Sequence, residues 1–501
     1  MKDKLLFWIG GPLHFCIAYY LQKTYDFELY AIIDITNKPK KFFTDQKLVK
    51  FKKIWFFHDH IKNKHPPDYE YLSSFEIKHN INIWKLAINE RIFYRFYNFH
   101  KFSKNEILSI EEDACKLFEK VLDETNPDFI LTYLPALHHM ELFYEIAKAK
   151  EMKTLVLSNP MLGYKTRISE GREIPVSIKE FNEVKTLDRN FDNLRNYRNS
   201  FNISKQIKRS LEKGENPKLR LLKAALEFLF SNNKHEKTFY TYFGRTKWKV
   251  FTFMLTISIK KKLREKFMAK NLLVDVNFKK SYVYFPLGVD PEANILVTAP
   301  FFTNQTEIIR NIAKSLPIGY ELYVKENPAQ IHREWRKISE YKEIIEIPNV
   351  KLLHPSVSNE KLLENSSLVA TIAGSSGFEA AFYEKPSIVF SDAIYTLLPS
   401  VYRIKEIEKL PEIIRTCLST KVNSKDLDKF LTLLEKDTFD FDLRGLNTKV
   451  ADHFFRGGFL VNTEIPESRM KEFLEENKEI LEEISLEHIK KINEINALKI
   501  K

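Results

Sequence analysis

Apolar and polar positions follow two rhythms along this chain, and the change between them divides it. In the first third, short apolar runs at 5–9, 29–34, 54–57, 128–133 and 154–157 have the length and composition of buried strands. Between them the period lengthens to that of amphipathic helices, at 13–23, 110–123 and 136–150. Such alternation predicts an open α/β sheet. From about 169 to 280 glycine is scarce, basic residues dominate and helical periodicity persists. A second alternation then begins, with strands predicted at 282–285, 294–298, 321–324, 350–353, 368–372 and 387–390, and helices at 305–315, 359–365 and 377–384. From 427 the pattern is charged and helical, most regularly over 467–498. The expected fold class is α/β. Two doubly wound Rossmann-type domains (1–168 and 281–426) are joined by a helical basic insertion (169–280) and followed by a helical tail (427–501).

Within the second alternation one stretch carries chemistry. The apolar run 368–372 ends in Gly374-Ser375-Ser376-Gly377, a helix opens at Phe378-Glu379-Ala380-Ala381, and a second apolar run follows Lys385-Pro386. Strand, small-residue turn, helix and strand form the unit that builds a parallel sheet. Its turn offers backbone N–H groups and two hydroxyls at the positive end of a helix, where phosphate is stabilised. Glu379, one turn in, can reach a sugar hydroxyl beside that phosphate. A nucleotide is the expected guest.

Composition narrows the picture. At 501 residues, with 44% apolar and 13% aromatic side chains, the chain is globular and multidomain. Its three cysteines (Cys16, Cys115, Cys417) lie far apart, which argues against a disulfide framework or a structural zinc. A net charge of +12 suits nucleic acid, an anionic membrane or phosphorylated substrates. The aromatics follow core periodicity and no nucleic-acid-binding motif is present, so nucleic acid is not an expected partner. The apolar run 5–21 is broken by Gly10-Gly11-Pro12 and His14, which favours strand, turn and helix over a signal or membrane segment, and a cytoplasmic location is expected. The stretch 247–267 has an apolar centre with basic flanks. It reads either as a helix lying on the inner face of an anionic membrane or as a connection buried between domains.

Several residues resemble a known family. Glu379-Ala380, with Pro386 seven residues after the glutamate and Ile388-Val389-Phe390 beyond it, has a spacing similar to that of GT-B glycosyltransferases. YVYFPLGVDPEANILVT from Tyr282 to Thr298, Asn304-Gln305 and LYVKENP from Leu322 to Pro328 sharpen the match. Over about 282–395 the chain looks like bacterial capsule and surface-polysaccharide biosynthesis proteins, some of which are Kdo transferases. The resemblance implies a GT-B-like fold and metal-independent transfer of a sugar from a nucleotide-sugar donor to a glycan or lipid-linked glycan acceptor. The donor is a co-substrate; no cofactor is implied. In members using CMP-linked Kdo or sialic acid, a His-Pro pair and a serine motif hold the nucleotide. Ser375-Ser376 fits the serine motif. Lys325-Glu326-Asn327-Pro328 stands where the family shows Lys-x-His-Pro, with asparagine replacing histidine, while an intact His354-Pro355 comes later. Asparagine can donate a hydrogen bond but carries no proton, so UDP-, GDP- and TDP-sugars stay open. Glu384 replaces a common glycine.

Asp290 and Glu292 present two carboxylates at the start of the second domain, and the resemblance points to Glu292 as nucleophile or stabiliser of the transition state. Lys325 can neutralise donor charge. His14, beyond the Gly10-Gly11 turn, is a candidate base or acceptor ligand, with a structural role as the alternative. His138-His139, Arg167 and Arg172 are weaker acceptor candidates. His58-Asp59-His60 with His65 lacks the pattern of a metal site, and none is assigned. A UDP-sugar 2-epimerase, a polyol-phosphate transferase and a non-catalytic assembly protein remain alternatives on the same scaffold.

Overall fold

A computed structural model describes residues 2–499 apart from 63–64, 161, 173–177, 201–216, 231–238, 291 and 333–334. Among these residues the strands form two sheets. The first contains β1 (Lys4–Ile9), β2 (Glu28–Ile33), β3 (Phe51–Phe56), β4 (Phe129–Tyr133), β5 (Thr154–Ser158), β6 (Lys165–Glu170) and, from the tail, β13 (Phe439–Asp440). Their order is β13-β6-β5-β4-β1-β2-β3, with β6 and β13 antiparallel at one edge. The second contains β7 (Tyr282–Pro286), β8 (Glu321–Lys325), β9 (Val350–Leu353), β10 (Leu368–Thr371), β11 (Ser387–Val389) and β12 (Val401–Arg403). It is parallel throughout, in the order β12-β11-β10-β7-β8-β9.

Both sheets start at the centre, grow to one side, then return to grow on the other. The connections therefore diverge at the carboxyl ends of β1 and β4, and again at those of β7 and β10. Crevices at such switch points are where doubly wound folds take ligands. Helices on both faces make the strands apolar on both sides. In β1, Leu5, Phe7 and Ile9 enter one core while Leu6 and Trp8 enter the other. In β7, Val283 and Phe285 face one core while Tyr282 and Tyr284 face the second.

The helices that position the site are α1 (Pro12–Thr24), α2 (His138–Ala149), α3 (Phe191–Ser200), α4 (Lys247–Asn271), α5 (Ser376–Phe382) and α6 (Lys478–Lys499). One predicted strand is absent: residues 294–298 instead begin with a short helix, Ala293–Leu296. Ile295 packs against Gly288, where a Cβ would come within 2.6 Å of its Cδ1. The places beside β7 are taken by β8 and β10, so the run has no strand to join.

The insertion and the tail each divide between the two domains. Leu194 of α3 packs with Phe378 and Phe382 on the second domain, Tyr240 enters a first-domain core, and Met268 enters a second-domain core. Leu427, Phe430 and Leu431 stay with the second domain, whereas Phe441 onward returns to the first. There α6 covers α1, and Tyr20 Oη donates to the Leu474 carbonyl (2.8 Å).

Candidate functional site

Lys325 ends β8, in register with Pro286 of β7 and Leu353 of β9. Alternation along the strand sends Leu322 and Val324 into one core, and places Lys325 on the opposite face with Tyr323, which packs near Tyr284 and Ala380 of α5. The side chain is 95% buried by residue (5% exposed), and its ammonium meets no hydrogen-bond or ion-pair partner among the described residues. Burial lowers its pKa to about 8. A buried cation without a counter-ion is costly, and an incoming anion relieves that cost.

Across β7, the turn after β10 is held tightly. Ser375 Oγ donates to Glu379 Oε1 (2.8 Å), and Tyr395 Oη donates to the Gly374 carbonyl (2.5 Å). A Cβ on Gly377 would lie 2.8 Å from Tyr395 Oη, which fixes glycine there. Ser376 opens α5 and is half-buried. Glu379 has a partner the sequence does not announce. Arg198 of α3 donates to its Oε2 (2.6 Å) and to Tyr383 Oη (2.9 Å). Gly374, Ser375, Ser376, Gly377 and Glu379 are thus brought together at the switch point.

Both rival positions for the His-Pro pair fall on this sheet edge, at the ends of neighbouring strands. His354 follows β9. Its Nδ1 accepts from the Ser356 backbone N–H (3.2 Å) and from Ser356 Oγ (2.7 Å), which leaves the proton on Nε2. Burial lowers the His354 pKa, so the ring is a neutral donor. Asn327 follows β8; its Oδ1 accepts from the Ala329 N–H (3.0 Å), and Pro328 is exposed in the turn.

A cleft of about 440 Å³ opens between the domains, with Ile88, Glu90 and Tyr94 on one side and Asp290, Gln305 and Arg336 on the other. Asn89 Nδ2 donates across it to the Pro300 carbonyl (3.0 Å). Asp290, expected to act catalytically, is committed to structure. Its Oδ1 accepts from Gln305 Nε2 (3.1 Å) and its Oδ2 is ion-paired with Arg336. Arg336 also pairs with Glu326 (3.1 Å), whose Oε2 accepts from Tyr341 Oη (2.7 Å). Burial raises the Glu326 pKa; burial alone would lower that of Arg336, but Glu326 and Asp290 override it and raise it. Glu292 stands half-buried at the head of the Ala293–Leu296 helix, without a side-chain capping bond, and is not among the residues lining the cleft.

At the first-domain switch point the turn is tied to a neighbouring strand. The Gly10 N–H donates to Tyr133 Oη (2.9 Å), and a Cβ on Gly10 would stand 2.7 Å from that oxygen. His14 is a correction to the expectation of a base: it is wholly buried, its ring is 4.2 Å from that of Tyr133, and neither ring nitrogen has a hydrogen-bond partner among the described residues. Burial, aided by nearby His488, pushes its pKa down to about 3, so it stays neutral. The helix α1 presents it to the core that α6 closes.

Beside it lies a buried charge cluster. His139 Nε2 is 2.8 Å from Asp34 Oδ2, and His58 Nε2 is 3.0 Å from Asp34 Oδ1. His138 Nδ1 lies 3.0 Å from Glu90 Oε2 and its Nε2 3.1 Å from Glu111 Oε1. Burial alone would lower the His138 pKa, but Glu111 and Glu90 push it up to about 10. Burial alone would raise that of Glu90, and His138 brings it down to about 2. Asp59 and His65 are drawn elsewhere, to Lys40 (2.6 Å) and Asp113 (3.2 Å). No group of three or more candidate ligands is placed to hold a metal among the described residues. The arginines proposed for an acceptor are internal ties: Arg167 pairs with Asp437 and Arg172 with Glu141 (2.7 Å).

Residues 213–398, just over a third of the chain, match the family model described as capsule polysaccharide biosynthesis protein. The resemblance drawn above is borne out over that segment, and the chain is capsule-synthesis-like there. A search of curated proteins found no match. Among solved structures, the UDP-GlcNAc 2-epimerase of Methanocaldococcus jannaschii, in complex with UDP-GlcNAc and UDP, is similar at 12% identity, over 87% of this chain and 100% of that one, with a TM-score of 0.25. KpsC of Thermosulfurimonas dismutans is similar as its beta Kdo 2,7 transferase (10% identity, 66% and 80% coverage, TM-score 0.29). It is similar again as its beta Kdo 2,4 transferase (14%, 61% and 79%, 0.29). At these TM-scores the likenesses carry no argument.

Proposed function

We propose that the chain is a glycosyltransferase of capsule polysaccharide synthesis that holds its nucleotide-sugar donor at the carboxyl edge of the second sheet. The observation that carries the reading is Lys325, a buried ammonium without a counter-ion among the described residues, on the edge that also bears the Ser375–Ser376 turn. Donor phosphate on Lys325 and the turn relieves an unpaired buried charge, and Glu379, fixed by Ser375 and Arg198, takes the ribose. His354 and the Asn327 amide supply neutral donors beside them. As bond cleavage loads negative charge onto the leaving phosphate, Lys325 stabilises it where water is largely excluded. Asp290 is engaged by Arg336; the resemblance to capsule-type Kdo transferases points to Glu292 as the carboxylate that attacks, and Glu292→Gln should abolish transfer while leaving nucleotide affinity intact.

Thermal melting against CMP, UDP, GDP, TDP and their sugar conjugates tests the reading. One nucleotide class should raise the Tm, with about 2.7 kcal/mol of stabilisation at a hundredfold excess over Kd. A CMP response points to a Kdo-like donor and a UDP response to a conventional sugar. A flat response to all of them refutes the assignment.

A further inference from the structure

Helix α4 bridges the domains on one face and meets solvent on the other. Its inward face is anchored at both ends. Phe253 packs edge-on against Phe99 of the first domain (5.0 Å), Arg264 Nη1 donates to the Trp335 carbonyl (2.7 Å), and Met268 is buried in a second-domain core. The opposite face carries Trp248 (71% exposed), Phe251, Leu255, Ile259 (61%) and Leu263, all exposed. Their spacing of three, four, four and four residues draws one stripe along the helix. Near its start the stripe is extended by Phe230 (84% exposed), since Lys247 Nζ donates to the neighbouring Leu229 carbonyl (2.6 Å).

Charge surrounds the stripe. Between Lys247 and Asn271 stand eight basic residues and one acidic residue, a net +7. The acid, Glu265, accepts from Trp335 Nε1 (3.1 Å) and so is held toward the protein. We infer that α4 is an interfacial helix that seats the protein on an anionic bilayer surface. Contiguous exposed apolar surface of this kind marks an interaction site. A second copy of the same face would bring two strongly positive helices together, whereas anionic headgroups complement both the lysines and the apolar stripe. No described helix is long and apolar enough to cross a membrane, so α4 lies along the surface. Its inward contacts fix where the cleft then sits. Trp335 adjoins Arg336, and Phe99 lies near Phe96; both Arg336 and Phe96 line the cleft. Docking through α4 would thus hold the cleft at a fixed place close to the bilayer. The inference stands on α4 alone and does not require the donor assignment.

The test is co-sedimentation of the full chain with vesicles of phosphatidylcholine alone or with phosphatidylglycerol added. Binding should require the anionic lipid, weaken with salt and shift Trp248 emission to the blue. The triple change Trp248→Ser, Leu255→Ser, Ile259→Ser should cut the bound fraction about tenfold or more, by removing the buried apolar stripe. Lys260→Glu with Lys262→Glu should lower binding to anionic vesicles only. These positions are exposed, so circular dichroism and any nucleotide-induced melting shift should be unchanged, which separates this result from a failure of the donor site. Absence of vesicle binding, equal binding to neutral vesicles, or no effect of the triple change overturns the inference. So does concentration-dependent self-association that the triple change abolishes, since the stripe would then serve a second copy.

Discussion

At the switch point of the first sheet, the Tyr133 hydroxyl takes up the Gly10 N–H, and His14 packs behind it with no access to solvent. At the switch point of the second, the corresponding turn is built of glycine and serine, and the adjacent strand end carries Lys325, which meets no anion among the described residues. The first domain balances its buried charge internally, with His138 between Glu90 and Glu111 and Asp34 between His139 and His58. In the second, Lys325 has no counter-ion among the described residues. The same topology therefore yields one edge where the turn N–H is taken by a side chain of the protein and one where, in the reading proposed above, an anion would be welcome.

The largest effect should come from breaking the buried charge cluster of the first domain. His138→Ala leaves Glu90 and Glu111 buried without their cation and should cost about 3–5 kcal/mol in urea unfolding. The wild type should also show the pH signature of that histidine. Its folded pKa of about 10 lies above the unfolded 6.5, so the stability it contributes is complete below pH 6.5 and is lost as pH rises toward 10. Lys325 contributes the opposite slope above its folded pKa of about 8, so the decline is best followed between pH 6.5 and 8. The His138 variant should lose His138's share of that decline. Next in size, Lys325→Met should weaken nucleotide binding by about 1.5–3 kcal/mol, the worth of a charge-assisted contact, while stability holds or rises because a buried unpaired cation is gone. Gly10→Ala should cost about 1–3 kcal/mol by forcing Tyr133 from its place. The smallest effect runs the other way. Glu384 sits at φ +61° just past α5, in the left-handed region, so Glu384→Gly should stabilise by about 1–2 kcal/mol, less whatever is lost with its exposed Arg195 ion pair.

That last residue shows what can be read from sequence. The glycine that the resemblance leads one to expect at 384 and the observed positive φ have one cause, the backbone reversal that ends α5. Both alternations, the crossover from β10 through α5 to β11 and the long helix α4 were legible because burial on two faces imposes continuous apolar runs and solvent imposes helical period. Residues 294–298 failed that reading because a short apolar run has no period of its own and the sheet had no vacancy. The chain's return to the first domain near Phe441 left no signal, since a tail helix reads alike on either core. Long-range partners were equally hidden. Arg198 lies in a basic segment where many arginines are solvated, yet it holds Glu379; Arg336, outside any motif, neutralises Asp290 and Glu326. His14 and Lys325 were both single polar residues near strand ends, and only burial and partners separate the core histidine from the candidate phosphate ligand.

The most direct measurement is calorimetric titration of the nucleotide chosen by melting, at pH 7 and pH 9, on the wild type and on Lys325→Met. The charged fraction of a group with a pKa of about 8 falls about tenfold across that interval, so wild-type affinity should fall about tenfold while the methionine variant stays weak and pH-independent. A Lys325→Met protein that binds the nucleotide as tightly as wild type, with the same pH profile, would contradict the account.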